Sequence, residues 1–484
     1  MSIREGLTFN DVLIVPSHSD VKSRKTVDLS TKLTKDGSIK LTLPIVSSNM
    51  DTVTEDRMAI AMAEAGGLGI IHRFNTIEEQ VELAKRVKRF MNYKIENPYV
   101  MPIENDPTVE DYRLLVAETG VHCFPIVKKD LTISGMITRR DIDFASSDKQ
   151  KLADIMTPLS ELTVCLDKPD ILNEVYRLMK TTKKEKILLV EDMKTMKLSG
   201  MVTHHDIKRY KQMNKISTID KQGRLRVGAA IGVKEEDTDR AKALIDAGVD
   251  VLCVDVAHGD HPLCGDMVRV LKASYPNIPV IAGNVATASG VRYLVSCGAD
   301  CIKVGIGCGS ICTTRMVTGC GAPQLTALID CYREAEATDT PIISDGGNGG
   351  LIGNIAKALG CGASAVMLGN FLAGTDETPG PILIKDNRRV KYIRGMSGYG
   401  ANLSRRQKIE KREDLSDITP EGVDAYVPYK GPVRDILSKI VGGVTSACSY
   451  VGAHNLEEFT DNVEFIRITS AGRQNSDSHG VNKL

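Results

Sequence analysis

Eight runs of five or six residues carry apolar side chains almost without interruption: 44–48, 68–72, 227–232, 251–255, 279–284, 301–305, 341–345 and 364–369. A strand with one wet face alternates apolar and polar positions, whereas a strand covered on both faces does not. Unbroken runs of this length therefore predict a parallel sheet buried on both sides. The segments between them, such as 237–247 and 350–360, have helical periodicity and predict helices with one buried stripe. Eight strand-then-helix units predict an α/β fold, a (β/α)8 TIM barrel.

The alternation breaks once, between the second and third strands. There Gly135-Met136-Ile137-Thr138 followed by Asp141 is answered, at a constant offset, by Gly200-Met201-Val202-Thr203 followed by Asp206. Each copy follows a β-rich run, 123–127 and 186–190, and before that a helical stretch, 109–117 and 171–180. Such repetition predicts two similar units that pack as a pair. The expected domains are residues 1–93 with 214–484 as the barrel, and residues 94–213 as a module inserted in one of its loops.

Chemistry in such barrels sits at the C-terminal ends of the strands. Here the runs end in Ser48-Asn49-Met50-Asp51, Asp255-Val256-Ala257, Gly283-Asn284, Gly305-Ile306-Gly307, Asp345-Gly346-Gly347 and Gly369-Asn370. The last two follow strands seven and eight, where exposed backbone N–H groups commonly meet a phosphate. After strand six comes Gly305-Ile306-Gly307-Cys308-Gly309-Ser310-Ile311-Cys312-Thr313-Thr314-Arg315. A glycine-rich loop lets the backbone approach a ligand or turn carbonyls to a monovalent cation. Cys312 stands at its end in a polar setting, with Arg315 nearby to favour a thiolate, a good nucleophile toward an electron-poor carbon. Cys308 and Cys320 have weaker versions of this setting, and the remaining cysteines read as small core fillers.

Composition narrows the function. Lys plus Arg is 62 and Asp plus Glu is 62, so no basic excess offers itself to a nucleic-acid backbone. Tryptophan is absent and aromatics are 4%, which leaves few platforms for stacking bases. No apolar stretch reaches the roughly 18 residues of a membrane span. The first residues carry no long apolar run of a secretory signal. Twelve cysteines without disulfide-scaffold or zinc spacing predict reduced thiols in an intracellular compartment. His204-His205 reads as surface. The final Asn482-Lys483-Leu484 is similar in two of three residues to the Ser-Lys-Leu address of peroxisomes. Read as an import signal, it predicts a peroxisome-type organelle (a glycosome); otherwise the chain is expected in the cytoplasm.

The repeat resembles a tandem cystathionine-β-synthase (CBS) pair, also called a Bateman module. The resemblance implies that Thr138, Asp141, Thr203 and Asp206 contact the ribose and phosphate of regulatory purine nucleotides. Nearly the whole chain resembles the inosine-monophosphate dehydrogenase/guanosine-monophosphate reductase superfamily. The markers are Gly6-Leu7-Thr8-Phe9-Asn10-Asp11, Asn49-Met50-Asp51-Thr52-Val53, Gly309-Ser310-Ile311-Cys312-Thr313-Thr314-Arg315, Asp345-Gly346-Gly347, Val366-Met367-Leu368-Gly369 and the flap-like segment from Glu421-Gly422 to Lys430-Gly431.

Both branches of that superfamily use a cysteine thiolate on C2 of the purine and a hydride exchanged with a nicotinamide. The resemblance makes Cys312 the nucleophile, with Thr314 and Glu421 in proton transfer. Ser48, Met50, Ser310, Asp345, Gly346, Gly347, Gly369, Asn370, Tyr392, Gly395, Met396, Ser397 and Gly422 would hold the nucleotide. Asp255, Val256, Ala257, Asn284, Gly305 and Ile306 would flank the nicotinamide, and Ser23 and Arg24 would meet the adenosine end of NADPH. Carbonyls of Gly307, Gly309 and Cys312 would ligate K+. Homotetramers, pairing into octamers through the CBS modules, are implied.

Three places are similar to the reductase branch, which converts GMP to IMP with NADPH. Asp255-Val256-Ala257 stands where the dehydrogenase has Asp-Ser-Ser. Asn49 and the Lys22-Ser23-Arg24 stretch follow the reductase pattern. Residues 404–407, Ser-Arg-Arg-Gln, lack the adjacent Arg-Tyr pair with which the dehydrogenase activates water. Two features depart from it: a CBS insert is commoner in dehydrogenases, and the reductase's relay Lys and Thr align with Arg73 and Val233. The competing expectations are an IMP dehydrogenase using NAD and a nucleotide sensor without catalysis.

Overall fold

The computed structural model describes residues 3–90, 93–95, 98–168, 171–213, 216–410 and 419–476. The C-terminal tripeptide Asn482-Lys483-Leu484 lies outside them. The eight apolar runs are strands of one closed, all-parallel barrel: β1 (Ile45–Ser47), β2 (Leu68–Ile71), β3 (Gly228–Ile231), β4 (Val251–Asp255), β5 (Val280–Val285), β6 (Cys301–Val304), β7 (Ile342–Asp345) and β8 (Ala365–Leu368). Strand β8 closes on β1 through Val366↔Ile45 and Leu368↔Ser47. The helices that follow are α1 (Asp56–Glu64), α2 (Ile77–Phe90), α3 (Glu236–Asp246), α4 (Pro262–Ser274), α5 (Ala288–Ser296), α6 (Gln324–Glu336), α7 (Ile352–Gly360) and α8 (Val433–Tyr450). The fold is therefore the expected (β/α)8 barrel.

Strand side chains fill the barrel interior: Val46, Leu68, Ile70, Ala230, Val251, Cys253, Ile281, Cys301, Ile343 and Met367 form one buried cluster. Leu33, Ile39 and Leu41 join it from a short antiparallel hairpin near the chain start. Lys35 N–H bonds the carbonyl of Asp300, which precedes β6, so the hairpin plugs the end of the barrel opposite the mouth. Among the described residues no helix is long and apolar enough to cross a membrane.

The chain divides into two compact units, residues 1–90 with 216–484, and residues 91–215. In the second unit each half carries a small sheet and two helices. One half has strands Met101–Pro102, Cys123–Val127, Ile133–Thr138 and Thr157–Pro158, with helices Val109–Thr119 and Arg139–Asp143. The other has Val164–Leu166, Lys186–Val190 and Leu198–Thr203, with helices Leu172–Thr182 and His204–Met213. Cys123, Val127, Ile133 and Met136 of one half share a buried cluster with Leu188, Val190, Leu198 and Met201 of the other. The repeated sequence thus makes two units that cover each other's apolar sheet faces.

Candidate active site

The loop after β6 starts at Gly305, whose φ is +149°. A Cβ there would stand 2.1 Å from the Asp345 carbonyl oxygen, so only glycine fits. The loop runs to half-buried Cys312 and ends in the short helix Thr314–Thr318. Two backbone hydrogen bonds clamp it to the flap segment. Thr313 N–H donates to the Glu421 carbonyl at 2.9 Å, and Val423 N–H donates to the Ile311 carbonyl at 3.0 Å. The clamp lays the Glu421 side chain beside the loop. Thr314 Oγ1 donates to Glu421 Oε2 at 2.8 Å and lies 3.1 Å from Cys312 Sγ. A threonine hydroxyl has one proton. With that proton on Glu421, the hydrogen in the second contact belongs to the thiol. The three groups form one proton path, thiol to hydroxyl to carboxylate.

Beside this path lies a cavity of about 200 Å3. Eight of the expected nucleotide residues line it: Ser48, Met50, Ser310, Asp345, Gly346, Gly347, Gly369 and Asn370. Gly346, Gly347, Gly349 and Gly350 all have positive φ, giving the backbone-lined concavity that suits an anion. A side chain on Gly369 would press the Met50 sulfur at 3.0 Å. Gly395, Met396, Ser397 and Gly422 belong to the adjoining flap wall: Met396 sulfur accepts from Asp51 N–H at 3.4 Å, and the Ser397 carbonyl accepts from Glu421 N–H at 3.0 Å. The backbones of Gly395 and Gly422 pass so closely that a Cβ on either would stand 3.1 Å from the other's Cα. Tyr392 is not brought to the cavity. It packs edge-on against Tyr426 at 6.0 Å, and burial together with a hydrogen bond to Asp424 pushes its hydroxyl up to about 12.

The other side of the mouth gathers Asp255, Asn284 and Gly305. Asn284 Nδ2 donates to the Gly305 carbonyl at 2.7 Å and to Asp345 Oδ2 at 2.9 Å. Its Oδ1 is buried without a protein partner. An orphaned acceptor in this position fits an amide or hydroxyl donor of a nicotinamide nucleotide. Val256 N–H donates to the Gly283 carbonyl and Asn284 N–H to the Val256 carbonyl, which fixes the Val256-Ala257 turn against β5. Ser23 and Arg24 are elsewhere. Ser23 caps a turn by accepting from Lys25 N–H, and the Arg24 guanidinium lies 5.6 Å from the ring centroid of Tyr450, the last residue of α8. The start of α8 is at the mouth, where Val433 N–H meets Glu377 and Lys430 bonds the Asn370 carbonyl. At 1.5 Å per residue the helix puts Arg24 about 27 Å away.

Other expectations are adjusted. Arg315 does not aim at Cys312: it donates to the carbonyls of Ile306 and Ala322. Of the carbonyls expected to face a monovalent cation, that of Gly309 already accepts from Cys312 N–H at 3.1 Å. Among the described residues no group of three His, Cys, Asp or Glu side chains forms a metal cage. In the inserted unit, Thr138 Oγ1 bonds Asp141 at 2.8 Å and Thr203 Oγ1 bonds Asp206 at 2.5 Å. Both pairs stand at helix starts, where such pairing satisfies free N–H groups. Val233 and Arg73 flank Gly232 after β3, and Arg73 Nε is buried without a partner.

Sequence reasoning missed two charged residues. Lys303, in mid-β6 and 2% exposed, donates to Asp255 Oδ1 at 2.6 Å and Asp345 Oδ2 at 3.2 Å. A lysine interrupting an apolar strand was the available signal. Burial by itself would raise the Asp255 carboxyl, but Lys303, helped by Arg73 and a hydrogen bond from Asn49, holds it below the usual carboxylate range. Arg394 donates through Nε to Asp51 Oδ2 at 2.8 Å, tying the flap hairpin to the β1 loop. Nothing local in the sequence announces that pair.

A family model described as the IMP dehydrogenase / GMP reductase domain matches residues 6–479. A GMP reductase of Leishmania major is 44% identical, covering 100% of this chain and 98% of that relative. An inosine-5'-monophosphate dehydrogenase of Nitrosopumilus maritimus is also 44% identical, covering 99% of each. Among solved structures, a GMP reductase of Trypanosoma brucei with a cysteine-to-alanine substitution, in complex with guanosine 5'-monophosphate, superposes with a TM-score of 0.89. It is 43% identical and covers 99% of each chain.

Proposed function

The chain belongs to the IMP dehydrogenase/GMP reductase family, and we propose that it is a GMP reductase, converting GMP to IMP and ammonia with NADPH. The observation that carries the reading is the unbroken path from Cys312 through Thr314 to Glu421. Glu421 takes the thiol proton through Thr314, and the thiolate adds to C2 of GMP. The same proton, returned from Glu421 to the 2-amino group, lets ammonia leave and gives a covalent thioimidate. NADPH, when bound, supplies the hydride to C2, and the thiolate departs to release IMP. Asp345 holds the ribose hydroxyls, and the glycine-lined concavity at 346–350 with Gly369 and Asn370 holds the phosphate. Asn284 and Asp255 orient the nicotinamide end.

Two sequence features support reduction over oxidation. The Val256-Ala257 turn offers no hydroxyls, and the segment before Glu421 has no Arg-Tyr pair to activate water. Because Ser23 and Arg24 stand a helix length from the mouth, they reach NADPH only from a neighbouring copy, in keeping with a homotetramer. The carbonyls of Gly307, Gly309 and Cys312 would hold K+ and stiffen the loop. The inserted unit would act as the CBS pair, binding regulatory purine nucleotides; a T. brucei GMP reductase of 38% identity and TM-score 0.78 was solved in complex with guanosine 5'-triphosphate.

The second reading is IMP dehydrogenase, favoured by equally identical relatives of that name and by a Glu421 that could also accept a proton from water. Reduced-nicotinamide absorbance separates the two. A fall with GMP and NADPH, with ammonia released, is the expected outcome. A rise with IMP, NAD+ and K+, and no fall in the first mixture, would replace the reductase reading by the dehydrogenase.

A further inference from the structure

A buried ammonium persists only when paired. Lys303 is paired twice, with carboxylates that end two different strands: Asp255 on β4 and Asp345 on β7. These strands are not neighbours in the barrel, where β5 and β6 stand between them. The ladders through β5 and β6 set the backbone spacing of β4 and β7, but no ladder pairs the two directly or fixes where their carboxylate side chains sit. Lys303, rising from β6 inside the barrel, supplies the link. Asn284 on β5 adds a second tie to the Asp345 oxygen at 2.9 Å.

We propose that Lys303 is a positioning residue that sets the spacing between Asp255 and Asp345 and thereby holds the nicotinamide and the purine nucleotide in register. The inference rests on the assignment of those two carboxylates in the proposed function. The other charged or titratable groups facing the cluster are Arg73, which acts on Asp255 from the loop after β2, and the Cys253 and Cys308 thiols, each pushed up to about 12 chiefly by burial. Neither thiol carries charge at neutral pH. Arg73 acts on one carboxylate of the pair, so none of these groups replaces Lys303 as a bridge.

The test uses the full chain carrying Lys303→Met or Lys303→Arg, with folding checked by circular dichroism. GMP and IMP affinities come from calorimetry, and nicotinamide KM and kcat from absorbance. For Lys303→Met the dissociation constant of the nucleotide and the nicotinamide KM should each rise at least about tenfold, as expected when two binding groups lose their geometry. Nucleotide affinity should also fall between pH 8 and pH 6, because carboxylates facing each other without a cation take up a proton. The parent protein should show only the smaller change that comes from the ligand's own 5'-phosphate, which titrates at about pH 6, and Lys303→Arg should restore both constants to within about threefold. Should the Met variant not fold, Asp255→Asn serves. Asp255 touches only the nicotinamide side, yet nucleotide affinity should change at least about fivefold. A folded Met variant with both constants within about threefold of the parent and the parent's pH profile overturns the proposal, and so does unchanged nucleotide affinity in Asp255→Asn. The binding arms use GMP and IMP alike, so they remain decisive if turnover shows the enzyme to run in the oxidative direction.

Discussion

The barrel mouth and the inserted unit both pair a threonine hydroxyl with a carboxylate, and the pairs differ in reach. In the insert, Thr108 with Asp111, Thr138 with Asp141 and Thr203 with Asp206 are three residues apart, and each closes within the first turn of a helix. At the mouth, Thr314 reaches Glu421 across 107 residues, and its oxygen also meets a cysteine. A pair closed within one turn satisfies backbone N–H groups that nothing else would. A pair closed over a hundred residues serves no local need. It exists because two loops are held together, and here both are held by backbone hydrogen bonds to each other. Residue type alone does not separate a cap from a proton path; sequence distance and the third partner do.

The sharpest way to break this comparison is at Cys312. Cys312→Ala should lower GMP turnover at least about a thousandfold, since no other group in the path can form the covalent adduct. GMP affinity measured by calorimetry should stay within about threefold. Retained turnover would remove the covalent path and leave the long-range pair with no chemical role. Glu421→Gln keeps the shape but cannot accept a proton, and should cost about a hundredfold in kcat with little change in KM. A loss confined to KM would make Glu421 a binding group instead.

These expectations differ in how they became visible. The barrel was legible because a strand buried on both faces must be apolar at every position, and eight such runs stand in order along the chain. Cys312 stood out as the candidate nucleophile because it alone ends a glycine-rich loop in a polar setting. The clamp of residues 311–313 onto 421–423 was not, since backbone hydrogen bonds leave no mark on side-chain identity. The acceptors of Arg315 were not legible either, because the Ile306 and Ala322 carbonyls that it bonds are set by the loop's backbone. Ser23 and Arg24 entered by resemblance, and the fold places them beside Tyr450 at the end of α8.

A smaller effect sharpens the comparison inside the insert. Asp111 and Asp141 occupy equivalent capping positions, but only Asp141 belongs to the repeated motif. Each to Ala should destabilise the unit by about 1 kcal/mol, the ordinary worth of a cap, in denaturant unfolding. If the motif also reads a nucleotide, Asp141→Ala should in addition weaken GTP or ATP binding to the protein, while Asp111→Ala should not. Equal behaviour of the two variants in both assays would make the repeat a structural device only.

The smallest effect is expected at Cys308, four residues before Cys312 and on the wall of the cavity. Its thiol donates to the Asp345 carbonyl at 3.0 Å and lies 3.1 Å from Gln324 Oε1. Burial, with the nearby Asp345 charge, pushes the thiol up to about 12. At pH 8 the thiolate is then on the order of one part in ten thousand, from the four-unit gap. Between pH 6 and pH 9 iodoacetamide should modify Cys312 and exposed Cys320, and peptide mass spectrometry should find Cys308 unlabelled. The sign is fixed by the raised value: labelling of Cys308 can only increase as pH climbs toward 12. Cys308→Ser retains a donor at the same place and should change kcat by less than about threefold. Rapid labelling of Cys308 at pH 7, or a large loss in the serine variant, would mean that the two cysteines of this loop share the chemistry, and that the contact with Thr314 and Glu421 is not what distinguishes Cys312.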